Sequence, residues 1–104
     1  MPSQPRKIAL LGSTGSIGCA TLDVVAASAG QLEIVALSAH QRLEQLCEQA
    51  QRFKPRYVVA SDASAARDFN WSALPRGCEL LIGPAGVERA VQAPEIDIVV
   101  AAVV

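Results

Sequence analysis

The chain has 104 residues, of which 51% are hydrophobic and 18% charged, and nine basic against ten acidic residues give a formal net charge of −1. This composition is typical of one soluble globular domain and excludes a disordered chain. The charges form no basic stripe, which argues against nucleic acid as a partner. The longest apolar run, Ile98 to Val104, is too short to cross a membrane.

The first strand is predicted at residues 7–11, an apolar segment of the kind buried on both faces of a parallel sheet. We expect residues 1–6 before it to form a disordered tail, with neither a signal nor a transit peptide. After the strand come Gly12, Gly15 and Gly18, and then a helix that Gly30 ends. Its predicted sheet-facing stripe consists of Ile17, Ala20, Val24 and Ala27.

The second strand is predicted from Leu32 to Leu37, and an amphipathic helix follows over residues 43–53. The inner face of that helix is formed by Leu43, Leu46, Cys47, Ala50 and Phe53. The outer face is formed by Glu44, Gln45, Glu48, Gln49 and Arg52. Pro55 ends the helix because the residue before a proline is disfavoured in the helical region, and residues 56–60 form the third strand.

Ser61 or Asp62 is predicted to cap a short helix over residues 63–68. A loop over 70–77 follows, in which Trp71 covers the core. A fourth strand is predicted over 78–82 and a fourth helix after Gly83-Pro84, since proline suits the first helical position. The inner face of this helix consists of Val87, Ala90 and Val91, and the last strand is predicted over 96–104.

Alternating strands and helices predict an α/β fold, a Rossmann-like, doubly wound and mostly parallel sheet with helices on both faces, over residues 7–104. The last strand is apolar and has no turn after it, so we expect the chain to be the front part of a longer protein. Cys19, Cys47 and Cys78 are widely spaced, which argues against a zinc site or disulfides. We therefore expect small buried thiols and a cytoplasmic location.

The glycines follow the pattern G-x-x-G-x-x-G between a strand and a helix, where backbone N–H groups bind phosphates. Gly12 permits a tight exit from the strand, Gly15 lets the backbone approach a pyrophosphate, and Gly18 lets the helix pack closely. Hydroxyl donors come from Ser13, Thr14 and Ser16. A Walker A loop would require a Lys-Ser/Thr pair after the last glycine, and Cys19-Ala20 stand there instead. A turn that merely connects strand and helix is the alternative.

The end of the second strand predicts the choice of cofactor. NAD enzymes place an acid there for the ribose 2′-hydroxyl, whereas NADP enzymes replace it with a base. The segment Ser38-Ala39-His40-Gln41-Arg42 has no acid before Glu44, so NADP(H) is favoured over NAD(H). Ser38 can donate to a 2′-phosphate and Arg42 can pair with it. The alternatives are a solvated Arg42 and a surface His40. We identify no catalytic or metal-ligating residues.

These residues resemble a known family. The run from Ile8 to Gly18 with Thr21-Leu22-Asp23-Val24-Val25, the segment from Phe53 to Val58 and the closing Asp97 to Val104 resemble the 1-deoxy-D-xylulose 5-phosphate reductoisomerases. The resemblance implies the NADPH-binding domain of a homodimeric, three-domain enzyme of mevalonate-independent isoprenoid biosynthesis. It implies Mg²⁺ or Mn²⁺ in the whole enzyme, and a fragment that is inactive because the metal and substrate residues follow Val104.

By position, the resemblance implies phosphate contacts at Thr14, Gly15, Ser16 and Ile17, ribose-phosphate contacts at His40, Gln41 and Arg42, and a nicotinamide side at Ala101, Ala102 and Val103. With Gly12, Ser13, Ser38 and Ala39, these are the candidate cofactor-binding residues. The family usually has Gly, a basic residue and Asn where this chain has His40, Gln41 and Arg42, so the 2′-phosphate pocket differs. Alternatives are a stand-alone nucleotide-sensing module and the cofactor domain of another NADP-dependent reductase, such as a semialdehyde dehydrogenase.

Overall fold

The computed structural model describes residues 4–102, in which strands and helices alternate along the chain. The strands are β1 (Arg6–Leu11), β2 (Leu32–Ala39), β3 (Tyr57–Ala60), β4 (Glu79–Ile82) and β5 (Ile98–Ala101). The helices are α1 (Ser16–Ala27), α2 (Leu43–Phe53), α3 (Ala63–Asp68) and α4 (Pro84–Val91), and a 3-10 turn covers Trp71–Ala73. Within residues 4–102, none of the helices is both long enough and apolar enough to cross a bilayer.

The strands form one sheet in the order β4-β3-β2-β1-β5, and every neighbouring pair is parallel. The chain runs outward from β1 to β4 and then crosses back to place β5 on the other side of β1. In register, Leu11 lies opposite Ser38 on one side and Ala101 on the other. The carboxyl ends of β2, β1 and β5 therefore meet at one edge, where open α/β sheets bind ligands.

The sheet has a separate apolar core on each face, which confirms the predicted fold class. Helices α1, α2 and α3 bury Leu22, Leu46 and Ala66 in the first core. Helix α4 buries Ala90 in the second. The change of face follows from the change of direction after β4, because right-handed crossovers that run in opposite directions lie on opposite faces. Strand β3 is buried along its whole length, as expected for a central parallel strand.

Helix α1 is rotated relative to the prediction. The predicted inner stripe is exposed, with 56% of Ile17 and 61% of Val24 accessible, and the buried residues are Gly18, Leu22 and Val25 instead. The physical reason is that Gly18 packs against the turn after β1. This contact turns the Gly18 side of the helix toward the sheet. Positions four and seven residues further on then face inward as well.

Element boundaries differ from the prediction mainly at the strands. Strand β1 includes Arg6, which the prediction assigned to the tail, and β2 extends through Ala39. The last strand covers only Ile98–Ala101 of the predicted 96–104, and residues 103–104 lie outside the described part. Asp97 precedes β5 and ties it to β1: its N–H donates to Lys7 O at 2.8 Å, and its Oδ2 accepts from Lys7 N at 2.9 Å.

The predicted cover over the core is confirmed. Trp71 packs against the first core, donates from Nε1 to Ala66 O at 3.0 Å, and meets Phe69 edge-on with ring centroids 4.6 Å apart. All three cysteines are free. Cys47, on the inner face of α2, is buried as predicted, whereas Cys19 and Cys78 are only half-buried. Burial raises the pKa of the Cys47 and Cys78 thiols.

Candidate functional site

The glycine loop (Gly12–Gly18) connects β1 to α1 and is held in place by β2. Gly12 has a φ of 78°, a conformation that favours glycine. Its N–H donates to Ser38 O at 3.0 Å and lies 3.2 Å from Ser38 Oγ, and Ser13 N–H donates to Ser38 O at 2.8 Å. The first two N–H groups of the loop are therefore used to anchor it.

Gly18 allows α1 to lie directly on the backbone of the loop. A Cβ at this position would collide with Gly12 O and would lie 2.7 Å from Ser13 Cα and C. The close packing predicted for Gly18 is thus confirmed. At Gly15, in contrast, a Cβ would meet only Gly12 O at 3.8 Å and Ala102 O at 4.0 Å, which are ordinary contacts.

The amino end of α1 presents unused N–H groups to the carboxyl edge of the sheet. Gly15 is the N-cap, and the first intrahelical bond runs from Cys19 N–H to Gly15 O at 2.9 Å. The N–H groups of Ser16, Ile17 and Gly18 consequently have no intrahelical acceptor. Together with the helix dipole they form a site that attracts an anion.

A cleft of about 470 Å³ opens between this helix end and the end of β2, a size typical of small-molecule sites. It brings together nine of the predicted site residues. They are Gly12, Thr14, Gly15, Ser38, Ala39, His40, Gln41, Arg42 and Ala102. Ser61, which follows β3, also lines the cleft and was not predicted.

The remaining predicted site residues do not line the cleft. Ser13 is fully buried, so its predicted hydroxyl contact with a phosphate is wrong. Ser16 and Ile17 lie in the first turn of α1 with exposed side chains, and they offer backbone N–H groups instead. Ala101 is exposed on β5 outside the cleft. Val103 lies outside the described residues.

Ser38 lines the cleft but is 94% buried, and its hydroxyl lies against Gly12 N–H. Its observed contact differs from the predicted donation to a 2′-phosphate. Because the same residue also accepts two loop N–H groups through its carbonyl, its main structural effect is to hold the start of the glycine loop against β2. The hydrogen bonds explain why a serine is compatible with this buried position.

His40 turns toward the end of β3. Its Nδ1 lies 3.0 Å from Ser61 Oγ, and its Nε2 lies 3.7 Å from Asp62 Oδ2. Parallel pairing of Ala39 with Ala60 puts the residues that follow β2 and β3 side by side. The imidazole is thus hydrogen-bonded to Ser61 through Nδ1 and lies near Asp62 on its Nε2 side, and two thirds of it remain exposed.

Asp62 lies beside His40, and its carboxylate also caps the helix that follows it, α3. Its Oδ1 accepts from Ser64 N–H at 3.0 Å and Ala65 N–H at 3.3 Å, which caps α3. The Ala65 N–H above all, then Gln41, Ser64 and His40, lower the pKa of this carboxyl below its ordinary value. Asp62 does not line the cleft, so the end of β2 keeps its acid-free lining.

We expect the charge of Asp62 to stabilise the fold in a pH-dependent way. A carboxyl whose folded pKa is lowered stabilises above its unfolded pKa, and the contribution disappears as the pH falls through the folded pKa. Asp62→Asn keeps a capping oxygen without the charge, whereas Asp62→Ala loses both. At neutral pH we expect Tm to fall in the order wild type, Asp62→Asn, Asp62→Ala. The difference in Tm between wild type and Asp62→Asn should disappear below about pH 4.

Thermal denaturation followed by circular dichroism over this pH range measures both differences. Ser64→Ala, which changes a neighbouring side chain but keeps the N–H that Asp62 accepts, is the matched control and should show no pH-dependent gap. A gap between wild type and Asp62→Asn that stays constant or grows in acid would contradict the assignment.

Charge distinguishes the cleft from its neighbour. Arg42 is exposed at the N-cap of α2 and lines the cleft beside His40 and Gln41. The larger hollow on the other side of Arg42, about 680 Å³, is also lined by Gln41 and Arg42, but its lining adds the carboxylates of Glu44, Glu48 and Asp68. These carboxylates would repel a phosphate. An anionic ligand with two phosphate groups is therefore best accommodated between α1 and Arg42.

The parallel sheet, with the glycine loop at its switch point and the amino end of α1 beside it, defines a Rossmann-like α/β domain. The family model for 1-deoxy-D-xylulose 5-phosphate reductoisomerase matches residues 8–104. The chain belongs to this family, and the alternative that it is the domain of another NADP-dependent reductase is wrong. The 1-deoxy-D-xylulose 5-phosphate reductoisomerase of Methylococcus capsulatus is 43% identical over 100 residues, which are 93% of this chain and 25% of that protein.

Solved structures agree. The 1-deoxy-D-xylulose 5-phosphate reductoisomerase from Zymomonas mobilis in complex with NADPH is 28% identical, with a TM-score of 0.77 over 88% of this chain and 24% of its own. A DOX-P reductoisomerase in complex with NADPH, fosmidomycin and magnesium is 29% identical, with a TM-score of 0.80 over 94% of this chain and 24% of its own. The chain thus spans about a quarter of the length of the relatives it matches.

Proposed function

We propose that this chain forms the NADPH-binding portion of a 1-deoxy-D-xylulose 5-phosphate reductoisomerase. The observation that carries the proposal is the cleft at the carboxyl edge, which extends from Thr14 and Gly15, at the amino end of α1, to the acid-free end of β2. Pyrophosphate and 2′-phosphate are the two anionic parts of NADPH, and the two ends of the cleft match them in charge. Family membership and the NADPH complexes of two similar structures support the same function.

The residues of this chain would hold the cofactor through distinct groups. The loop from Thr14 and the first turn of α1 would bind the pyrophosphate through N–H groups, and His40, Gln41 and Arg42 would bind the 2′-phosphate. The end of β5, at Ala102, would approach the nicotinamide. When bound, NADPH supplies the hydride for reduction. The chain's own contribution is to bind and orient it beside the switch point of the sheet.

For the whole protein we propose the family's activity, the isomerisation and reduction of 1-deoxy-D-xylulose 5-phosphate to 2-C-methyl-D-erythritol 4-phosphate in mevalonate-independent isoprenoid biosynthesis. We further propose a cytoplasmic homodimer that uses Mg²⁺ or Mn²⁺. Among residues 4–102 no group of three or more His, Cys, Asp or Glu side chains could hold a metal ion. We therefore assign the metal to none of the described residues.

Titration of the chain with NADPH and NADH, followed by the change in nicotinamide fluorescence, tests the proposed function. We expect NADPH to bind at least about tenfold more tightly, because a charged hydrogen bond to the 2′-phosphate is worth about 1.5–3 kcal/mol. 2′,5′-ADP should compete for the same site. Equal or tighter binding of NADH would overturn the choice of cofactor, and binding of neither dinucleotide would overturn the function.

A further inference from the structure

Gln49 on α2 reaches the underside of the glycine loop. Its Nε2 donates to Ser13 O at 2.8 Å, a bond between residues 36 positions apart in the chain. The residue belongs to the predicted outer face of α2, but it is only partly exposed and its Oε1 is buried. Its amide therefore faces the glycine loop.

A second side chain holds the same stretch of backbone. The thiol of Cys19, on α1, lies 3.7 Å from both Ser13 O and Thr14 O as a donor. Gln45 Nε2 and Gln49 Nε2 in turn lie 3.3 Å and 3.8 Å from Cys19 Sγ. Helix α2 is thus connected to the loop by a small polar network in which Gln49 makes the shortest bond.

The network is buried and costly to keep. Ser13 is fully buried, and neither its Oγ nor Gln49 Oε1 finds a hydrogen-bond partner among the described residues. A buried polar group without a partner costs about 1–3 kcal/mol. An apolar side chain at position 49 would avoid that cost at one of the two atoms. The presence of glutamine is best explained by what its amide does to the loop.

Fixing the carbonyl of Ser13 also fixes the N–H that follows it. In a planar trans peptide the C=O and the next N–H point in opposite directions. Because Ser13 O is turned toward α2, Thr14 N–H is turned away from α2. Thr14 lines the cleft between α1 and the end of β2. Rotation of this one peptide would replace a donor with a carbonyl oxygen, which repels a phosphate.

We propose that Gln49 is a positioning residue for the cofactor. It holds the Ser13–Thr14 peptide in the orientation that presents Thr14 N–H to the pyrophosphate, and this role rests on the proposed NADPH function. Since α2 begins directly after Arg42, the same helix connects the binding elements for both phosphate groups. The expected contribution is to affinity for the pyrophosphate end of the ligand and not to the fold as a whole.

The test compares three ligands on the chain. NADPH and 2′,5′-ADP carry a phosphate at the ribose 5′ position, which meets the loop, whereas 2′-AMP carries only the 2′-phosphate. We expect Gln49→Met to weaken NADPH and 2′,5′-ADP by about three- to tenfold, the range for a lost neutral hydrogen bond. Binding of 2′-AMP should not change. Gln49→Glu keeps the size of the side chain but removes the donor. It is the second variant in case the Gln49→Met protein fails to fold.

Gln51→Met is the matched control. Gln51 also donates from Nε2 to a carbonyl at 2.8 Å, that of Ala73, and it lies on the same helix away from the loop. It should leave the affinity for all three ligands unchanged. Equal weakening of 2′-AMP by Gln49→Met, or unchanged NADPH binding in both Gln49 variants, would overturn the positioning role.

The amide resonances of the ligand-free chain separate this proposal from the proposed function. We expect a shifted amide resonance at Thr14 in Gln49→Met but not in Gln51→Met, because only the first variant frees the Ser13–Thr14 peptide to rotate. An unchanged Thr14 resonance would refute the structural link whatever the cofactor. If wild type binds neither NADPH nor 2′,5′-ADP, the proposed function fails and the cofactor role of Gln49 fails with it, while the Thr14 resonance still decides the contact.

Discussion

Replacement of Gly18 by alanine is expected to lower the free energy of unfolding by about 3 kcal/mol or more, the upper part of the range for overpacking. The added Cβ would collide with Gly12 O and with Ser13 Cα and C. These are backbone atoms, so no change of side-chain rotamer can relieve the clash. Relief requires α1 to move away from the sheet, which would open the contacts of Leu22 and Val25. In a domain of this size the loss corresponds to a fall in Tm of more than about 10 °C.

Gly15→Ala is the matched control in the same loop. Its backbone is in an ordinary extended conformation with φ of −77°, and a Cβ there meets only atoms at 3.8 Å or more. We expect a loss of under about 1 kcal/mol, since alanine is a poorer N-cap than glycine. Affinity for NADPH should nevertheless fall, because the methyl group would occupy the cleft. Thermal denaturation and cofactor titration of both variants measure the contrast, and equal losses of Tm would contradict it.

The overall fold could be predicted because each element carries its own local signal. Helix α2 shows a clear apolar face and a proline stop, and its observed bounds agree with the prediction. The strands are apolar and alternate with helices, which is sufficient for a parallel sheet. The rotation of α1 could not be predicted from its apolar residues, since Ile17 and Val24 on one side compete with Leu22 and Val25 on the other. The close packing of Gly18 was the signal that distinguishes them.

The site residues that directly follow β1 and β2 could be predicted from the sequence, whereas those that follow β3 were missed. The glycine loop and the segment from Ser38 to Arg42 lie at the ends of β1 and β2, so their positions follow from the motif. Ser61 and Asp62 approach His40 only through the parallel pairing of β2 with β3. Predicting these contacts would have required knowing that β3 lies next to β2. The burial of Ser13 and the bond from Gln49 to the loop depend on side-chain directions that no periodicity in the sequence specifies.

Reversal of the charge at Arg42 is expected to change the choice of cofactor more than any other single substitution. Arg42 is the basic residue that lines the cleft, at the end of an acid-free strand. In Arg42→Glu the charged hydrogen bond to a 2′-phosphate is lost and a like charge takes its place. We expect NADPH to bind about ten- to a hundredfold more weakly, the equivalent of about 1.5–3 kcal/mol. NADH, which has a hydroxyl at that position, should change little.

The fold should tolerate this substitution, because a glutamate at the amino end of α2 interacts favourably with the helix dipole. Arg52→Glu, at the other end of the same helix, reverses an equal charge away from the cleft and is the matched control. Fluorescence titrations at low and high salt measure the ratio of NADH to NADPH dissociation constants for the three proteins. Screening should reduce the effect of Arg42→Glu at high salt. If Arg42→Glu and Arg52→Glu shift the ratio equally, Arg42 acts only through the general charge of the protein and does not contact the 2′-phosphate.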